Sequence, residues 1–365
     1  MKGEFCMTKI IAYYLPQFYE NEYNNAWWGK GFTEWVHVKN AKPLYYDHLQ
    51  PKVPLNNNYY NLLDKSTVEW QTRLANQYGI DGFAYYHYWF EGKLLLEKPA
   101  ENLLKWKNIN QHFFFFWANH TWYKAENGHK KVLIEQTDGG KADWEAHYLY
   151  MKQFFLDDRY IKIENKPVVG IYDIKMLKNP DEMIELWNKL ALNDGFKGVF
   201  IIENKLKKNS KSICTQSDAI VCRQPLIAMN QYNLKFYKRV VRKIKKILKV
   251  VPKFPQRIEY TAISKLEAEY EKKSHKREYF GCSVGWDNTP RHQNYGQVYM
   301  HSSPKIFKNT LSTLYKKSLE KENEFIFINA WNEWAEGMYL EPDELNKYGY
   351  LEAIKEIKEK LNKEK

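Results

Sequence analysis

Eight short runs rich in β-forming residues recur along this chain, with helical patterning between most neighbours. The runs are 9–15 (KIIAYYL), 82–88 (GFAYYHY), 112–118 (HFFFFWA), 166–172 (KPVVGIY), 197–203 (KGVFIIE), 218–222 (DAIVC), 278–286 (EYFGCSVGW) and 324–331 (EFIFINAW). Several are apolar without alternation, as parallel strands covered on both faces are. Ser66-Thr-Val-Glu69 reads as a capping box opening a helix that Gly79 closes. Further helices fit 97–107, 141–156, 180–193, 261–274, 304–320 and 344–362. Strands alternating with helices in this number point to an α/β fold, a (β/α)8 TIM barrel. We expect a single domain over 9–362 with long βα loops, preceded by an extension, 1–8. A doubly wound open sheet shares the alternation and is the rival architecture.

In a barrel, functional residues belong on the loops that follow the strands. The first run leads into a loop holding Trp28-Gly-Lys-Gly-Phe-Thr-Glu-Trp35. The second ends in His87-Tyr-Trp-Phe-Glu91, the third in Trp117-Ala-Asn119-His-Thr-Trp122. The fourth and fifth end at Tyr172-Asp173 and Glu203-Asn204, and the seventh at Trp286-Asp287-Asn-Thr-Pro-Arg291. The chain carries 28 Tyr, 19 Phe and 13 Trp, more aromatic surface than a core needs. Such rings stack on sugar faces while their polar tips reach hydroxyls. Candidate sugar contacts are therefore Trp28, Trp35, His87, Trp117, Asn119, Trp122, Tyr172, Glu203, Trp286 and Asp287. The plainer reading of each is support for the barrel rim.

After the eighth run comes Asn332-Glu333-Trp334-Ala335-Glu336-Gly337. Two carboxylates three residues apart, set among tryptophans at a strand exit, are the minimal equipment for glycosidic chemistry. One exchanges protons with the glycosidic oxygen and the other serves the anomeric centre. We take Glu333 and Glu336 as the catalytic candidates, with Asn332 and Trp334 beside them. Solvated loop carboxylates are the bland alternative.

Other signals are weaker. Gly281-Cys-Ser283-Val-Gly285 matches a nucleophile elbow, but Trp286-Asp-Asn-Thr-Pro290 allows no helix directly after the serine, and no late Asp-then-His order follows. Neither a phosphate-binding glycine loop nor a His-Glu-x-x-His spacing is present, so no cofactor and no metal are expected. Cys6, Cys214, Cys222 and Cys282 show no paired spacing; Cys222 and Cys282 read as small buried hydrophobes, which suits a reducing cytosol. The first residues lack a signal peptide's apolar run, and no stretch reaches eighteen apolar residues. The net charge of +12 comes mostly from nine Lys/Arg between Lys235 and Lys253, where no acid occurs. Apolar residues at helical spacing make 233–253 a basic amphipathic helix, fit for an anionic membrane surface or for the outer layer of the barrel. Nucleic acid is not an expected partner, since no binding motif accompanies the charge.

Six ordered motifs now carry a resemblance: Ala12-Tyr-Tyr-Leu-Pro-Gln-Phe18, Trp28–Trp35, Gly82–Trp89, Trp117–Trp122, Trp286–Arg291 and Asn329–Gly337. From about residue 9 to 355 the chain resembles the WbsX-type glycosyltransferase family. That family is similar to glycoside hydrolase family 99, endo-α-mannosidases built on (β/α)8 barrels with an Asn-Glu-Trp-x-Glu-Gly motif. The resemblance implies retention through a 1,2-anhydro sugar, with Glu333 as base toward the 2-hydroxyl and Glu336 as acid/base. Ala335 stands where the hydrolases have His, so contacts at that position do not carry over.

The expectation is an enzyme acting on α-linked glycans in surface-polysaccharide biosynthesis of the O-antigen or capsule type. It would take an oligosaccharide or lipid-linked glycan, in the cytoplasm or at the inner membrane face. A retaining endo-hydrolase and a non-catalytic glycan-binding barrel are the alternatives.

Overall fold

The computed structural model describes residues 8–126, 129–233, 253–271 and 274–363. The basic segment 233–253 lies, apart from its two end residues, outside the described residues, as does Cys6.

Parallel strands close into a ring. They are β1 (Lys9–Tyr14), β2 (Gly82–Phe90), β3 (Phe113–Trp117), β4 (Lys166–Ile171), β5 (Phe200–Lys205), β6 (Ala219–Cys222), β7 and β8 (Phe325–Asn329). Strand β7 comes in two pieces, Arg277–Tyr279 and Gly281–Ser283. Its first piece pairs with β6 and its second with β8, while β8 pairs with β1. Phe280, between the pieces, accepts a 2.9 Å bond from the Phe327 amide. The ring rules out the open sheet, and each of the eight apolar runs supplies one of its strands.

Aromatic side chains fill the ring. Tyr13 lies 5.1 Å from Phe116 and 5.6 Å from Phe327, while Phe114 lies 6.2 Å from both Phe325 and Phe327. Gly170, opposite Phe116 on the neighbouring strand, leaves the room this takes. A Cβ there would come 2.2 Å from the Phe116 ring. Inward and outward positions alternate, because strand side chains point to opposite faces.

Helices cover the outside. Pro304–Glu320 begins after Ser303, whose side chain accepts from the Ile306 amide, and carries Pro at its first position. It buries Phe307, Leu311, Leu314 and Tyr315, one face of a 3.6-residue period. Each such side chain contributes about 1.5–3 kcal/mol by leaving water. The helix Lys65–Tyr78 ends as expected at left-handed Gly79. Its start differs: the helix opens at Lys65 after Asp64, with no side-chain cap, so the Ser66/Glu69 box does not form.

Because the strands are parallel, their C-terminal ends share one face. Irregular structure gathers there, including the hairpin Trp122–Glu126/His129–Ile134 after β3 and a small hairpin after β8. Among the described residues, no helix is long and apolar enough to cross a membrane.

Candidate active site

The two glutamates sit on that last hairpin. Asn332–Glu333 pairs antiparallel with Met338–Tyr339, and Trp334–Glu336 makes the tight turn between them. Gly337 closes the turn at φ 61°, and a Cβ there would come 2.8 Å from the Asp287 amide nitrogen. Only glycine meets both demands. The neighbouring residues anchor this hairpin. Asn332 accepts from the Leu15 amide at 2.7 Å and donates to the Leu15 carbonyl at 3.0 Å. Trp334 donates to Glu341 at 2.6 Å and stacks on Tyr339 at 3.8 Å. The Asp287 amide donates to the Glu336 carbonyl at 2.7 Å.

Arg291 organises the charge. It lies in the short helix Thr289–His292 beyond β7 and donates to Glu336 Oε1 at 2.6 Å. The same guanidinium donates from Nε and Nη2 to Glu34 Oε1 at 3.0 and 2.5 Å. Glu333 Oε2 lies 3.9 Å from its Nη2. Three carboxylates thus share one planar cation, an arrangement that lysine's point charge does not reproduce. Glu333 is 6% exposed, whereas the side chain of Glu336 is 22% exposed and opens further to solvent. Burial, and then the charge of Glu336, pushes the Glu333 carboxyl up to about 8 against the pull of Arg291. Burial thus favours the protonated form of Glu333 in the ligand-free protein.

The structure brings only part of the expected set to this pair. Tyr172, half-buried at the end of β4, lies within electrostatic reach of both glutamates. Trp122 packs edge-on to Tyr88 at 5.0 Å, and Tyr88 in turn lies within electrostatic reach of Glu333, Arg291, Glu34 and Glu336. Trp28, 38% exposed, stacks near Phe32 and His37 on the rim.

The others are turned away or tied up in packing. His87 and Trp117 point outward against the helix Gly140–Phe155. His87 Nε2 meets His147 Nε2 at 2.9 Å, and the Trp117 ring lies 4.7 Å from the His147 ring. Burial drives His87 down to about 3, so it stays neutral. Glu203 also faces outward, accepting from Ser217 at 2.8 Å. Asn119 clips the backbone of Asp173 through two 2.8 Å bonds, and Trp35 donates to the Tyr60 carbonyl at 2.8 Å. Asp287 accepts from Gln50 at 2.7 Å and Thr289 at 2.6 Å, and meets His48 at 2.9 Å. Trp286 packs on a separate cluster with Ile258 and Tyr299.

Glu34, Arg291 and Tyr88 are the residues at this site that sequence reasoning left unassigned. Glu34 and Arg291 stand inside motifs already singled out, as charges embedded among aromatics. Tyr88 follows from alternation once His87 is known to face outward. Ser283 of the Gly-x-Ser-x-Gly match is buried in β7 and donates to Glu267 at 2.5 Å, as a structural residue. Among the described residues no His/Cys/Asp/Glu cluster could hold a metal ion.

The family model for glycosyltransferase WbsX matches residues 10–354. Two uncharacterized WxcX proteins from strains of Xanthomonas campestris pv. campestris are each 29% identical over 364 residues, covering 95% of this chain and 49% of theirs. The chain thus spans about half the length of these curated relatives. Among solved structures, a GH99 endo-α-mannosidase from Bacteroides thetaiotaomicron in complex with BIS-TRIS-propane superposes with a TM-score of 0.58 at 15% identity, covering 97% of both chains. A glycoside hydrolase-like protein gives 0.59 at 12% identity, covering 96% of this chain and 94% of its own. At such identities the likeness is one of fold, that of the (β/α)8 barrel.

Proposed function

The chain belongs to the WbsX glycosyltransferase family, an enzyme acting on glycans, and we propose that it transfers glycosyl groups between α-linked glycans with retention, using Glu333 and Glu336. One observation carries this reading: a buried carboxyl and a more open one share a hairpin at the strand-end face of the barrel, held by a common arginine. Burial and the charge of Glu336 raise Glu333 to about 8, which supports an acid/base role for the pair.

In the proposed reaction glycan binding moves the pair's one proton from Glu333 to Glu336, and Glu333, now a carboxylate, takes the proton of the sugar 2-hydroxyl. That oxygen attacks the anomeric carbon, the glycosidic C–O bond breaks, and Glu336 protonates the leaving oxygen. In the second half Glu336 takes the acceptor's proton. The acceptor oxygen bonds the anomeric carbon, the three-membered ring opens, and Glu333 returns the proton to O2. Both halves balance, and inversion twice gives retention. Tyr88, Tyr172 and Trp122 are the proposed sugar contacts.

We further propose a place in surface-polysaccharide assembly, with a lipid-linked or free oligosaccharide as substrate and the basic segment 233–253 holding the enzyme to an anionic membrane. Mass spectrometry of an oligosaccharide panel, with and without nucleotide sugars, tests the reaction. Chain growth that disappears in Glu333→Gln and Glu336→Gln supports transfer; Glu-dependent shortening assigns hydrolysis instead. Undiminished turnover in both variants overturns the two-glutamate site. Binding without turnover, indifferent to both substitutions, favours a glycan-binding barrel. Unchanged pelleting with anionic liposomes after reversing four lysines of 233–253 removes the membrane role.

A further inference from the structure

Arg223, directly after β6, is buried inside the barrel with 6% of its surface exposed. Its guanidinium carbon stands 4.2 Å from the Tyr13 ring centroid, 5.5 Å from Tyr172 and 5.6 Å from Tyr86. One nitrogen, Nη2, donates to the Tyr86 hydroxyl. Nε and Nη1 have no hydrogen-bond partner among the described residues. Nearby Asn204, 8% exposed, accepts from the Tyr13 hydroxyl at 3.4 Å, and its Nδ2 is likewise unpartnered.

Two other cations of the barrel are satisfied differently. Arg291 is paired to Glu34 and Glu336, and Lys205 to Glu278 at 3.0 Å. Arg223 makes no such ion pair among the described residues. Tyrosine faces compensate the flat side of a guanidinium, but they leave its in-plane N–H groups without acceptors. An unpaired cation with orphaned donors is costly inside a protein, and an anionic oxygen group is what such a fork binds best.

We infer that Arg223 and Asn204 form a subsite for an anionic group, carboxylate or phosphate, carried by the glycan on which the catalytic pair acts. The inference rests on the proposed function for the identity of the ligand as a glycan. Tyr172 links the two places: its ring stands 5.5 Å from the Arg223 guanidinium, and it lies within electrostatic reach of both glutamates. Glu333 itself feels the charge of Arg223. The charged group therefore belongs to a sugar unit at or next to the reacting bond.

Calorimetric titration of the full chain with matched probes tests this. One arm compares uronic-acid oligosaccharides with their carboxyl-reduced counterparts; the other compares glycosyl phosphates with the free sugars. The expected result is at least tenfold tighter binding of the charged member in one arm, which also tells carboxylate from phosphate. Arg223→Gln should erase that gap, and Arg223→Lys should restore only part of it. If Arg223→Gln does not fold, Asn204→Ala should still narrow the gap severalfold. Equal binding of charged and neutral members in both arms overturns the subsite, as does a gap that survives in folded Arg223→Gln, or no binding of any charged probe at millimolar concentration. Glutamate-dependent turnover without anionic preference would sink the subsite and leave the proposed function standing. Anionic preference without such turnover would do the reverse.

Discussion

Arg291 donates to Glu336 across 2.6 Å, although 45 residues separate them in the chain. The first arrives from the loop after β7 and the second from the hairpin after β8, so their meeting is a product of barrel closure. Since the same guanidinium holds Glu34 and approaches Glu333, its removal should disturb three carboxylates together.

Arg291→Lys keeps the charge but lets one ammonium serve only part of the cluster. We expect kcat to fall by about 10- to 100-fold, roughly the cost of misplacing a catalytic group. Steady-state kinetics alongside thermal denaturation would check this. A variant with wild-type kcat would show that Arg291 does not position the pair.

The raised Glu333 carboxyl predicts a pH signature. The reactive form carries one proton on the pair, so kcat/KM should fall along a descending limb near 8 as that proton is lost. A rising limb there would contradict a reactive form that holds one proton on the pair. Stability should show the same group. The folded pKa exceeds the ordinary 4.5, so the native state binds this proton more tightly and loses stability as pH rises from about 4.5 to 8. Glu333→Gln removes that loss. Its stability advantage over wild type should widen across this window to on the order of 3 kcal/mol. A constant difference from pH 5 to 8 would contradict the raised pKa.

Inward and outward positions on β2 should separate function from packing. Tyr88→Phe keeps the ring's shape and should lower kcat/KM by about 5- to 50-fold, with little change in melting temperature. His87→Leu strands His147 without its partner and should cost about 1–3 kcal/mol of stability, while kcat of the folded protein stays within about twofold. Comparing the two variants by calorimetry and kinetics decides the parity, and a reversed pattern would refute it.

Gly337→Ala places a Cβ in left-handed backbone and 2.8 Å from the Asp287 amide nitrogen. We expect a loss of at least roughly 1–2 kcal/mol in denaturant titration, from strain plus overpacking. Activity should fall more than about tenfold, because the turn that carries Glu336 must shift. Unaltered stability would mean the hairpin accommodates the methyl group freely.

Much of this molecule was legible along the chain. Apolar runs became strands because only burial on both faces tolerates them, and their count and alternation with helices implied the barrel. The Glu333/Glu336 pair was legible too, because local spacing and a strand exit are sequence properties. The direction of each rim side chain was not. His87, Trp117 and Glu203 sit at strand ends, yet strand parity turns them outward, and a shift of one residue reverses that outcome. Trp334 and Asn332 were visible as neighbours of the pair, but their bonds to Glu341 and Leu15 come from distant parts of the chain. Only the folded ring brings Glu34, Arg291 and Tyr88 together, from positions up to 257 residues apart. Local chemistry is written in sequence order. Which charges end up paired, and which has no ion pair among the described residues, as Arg223 has none, depends on closure of the barrel.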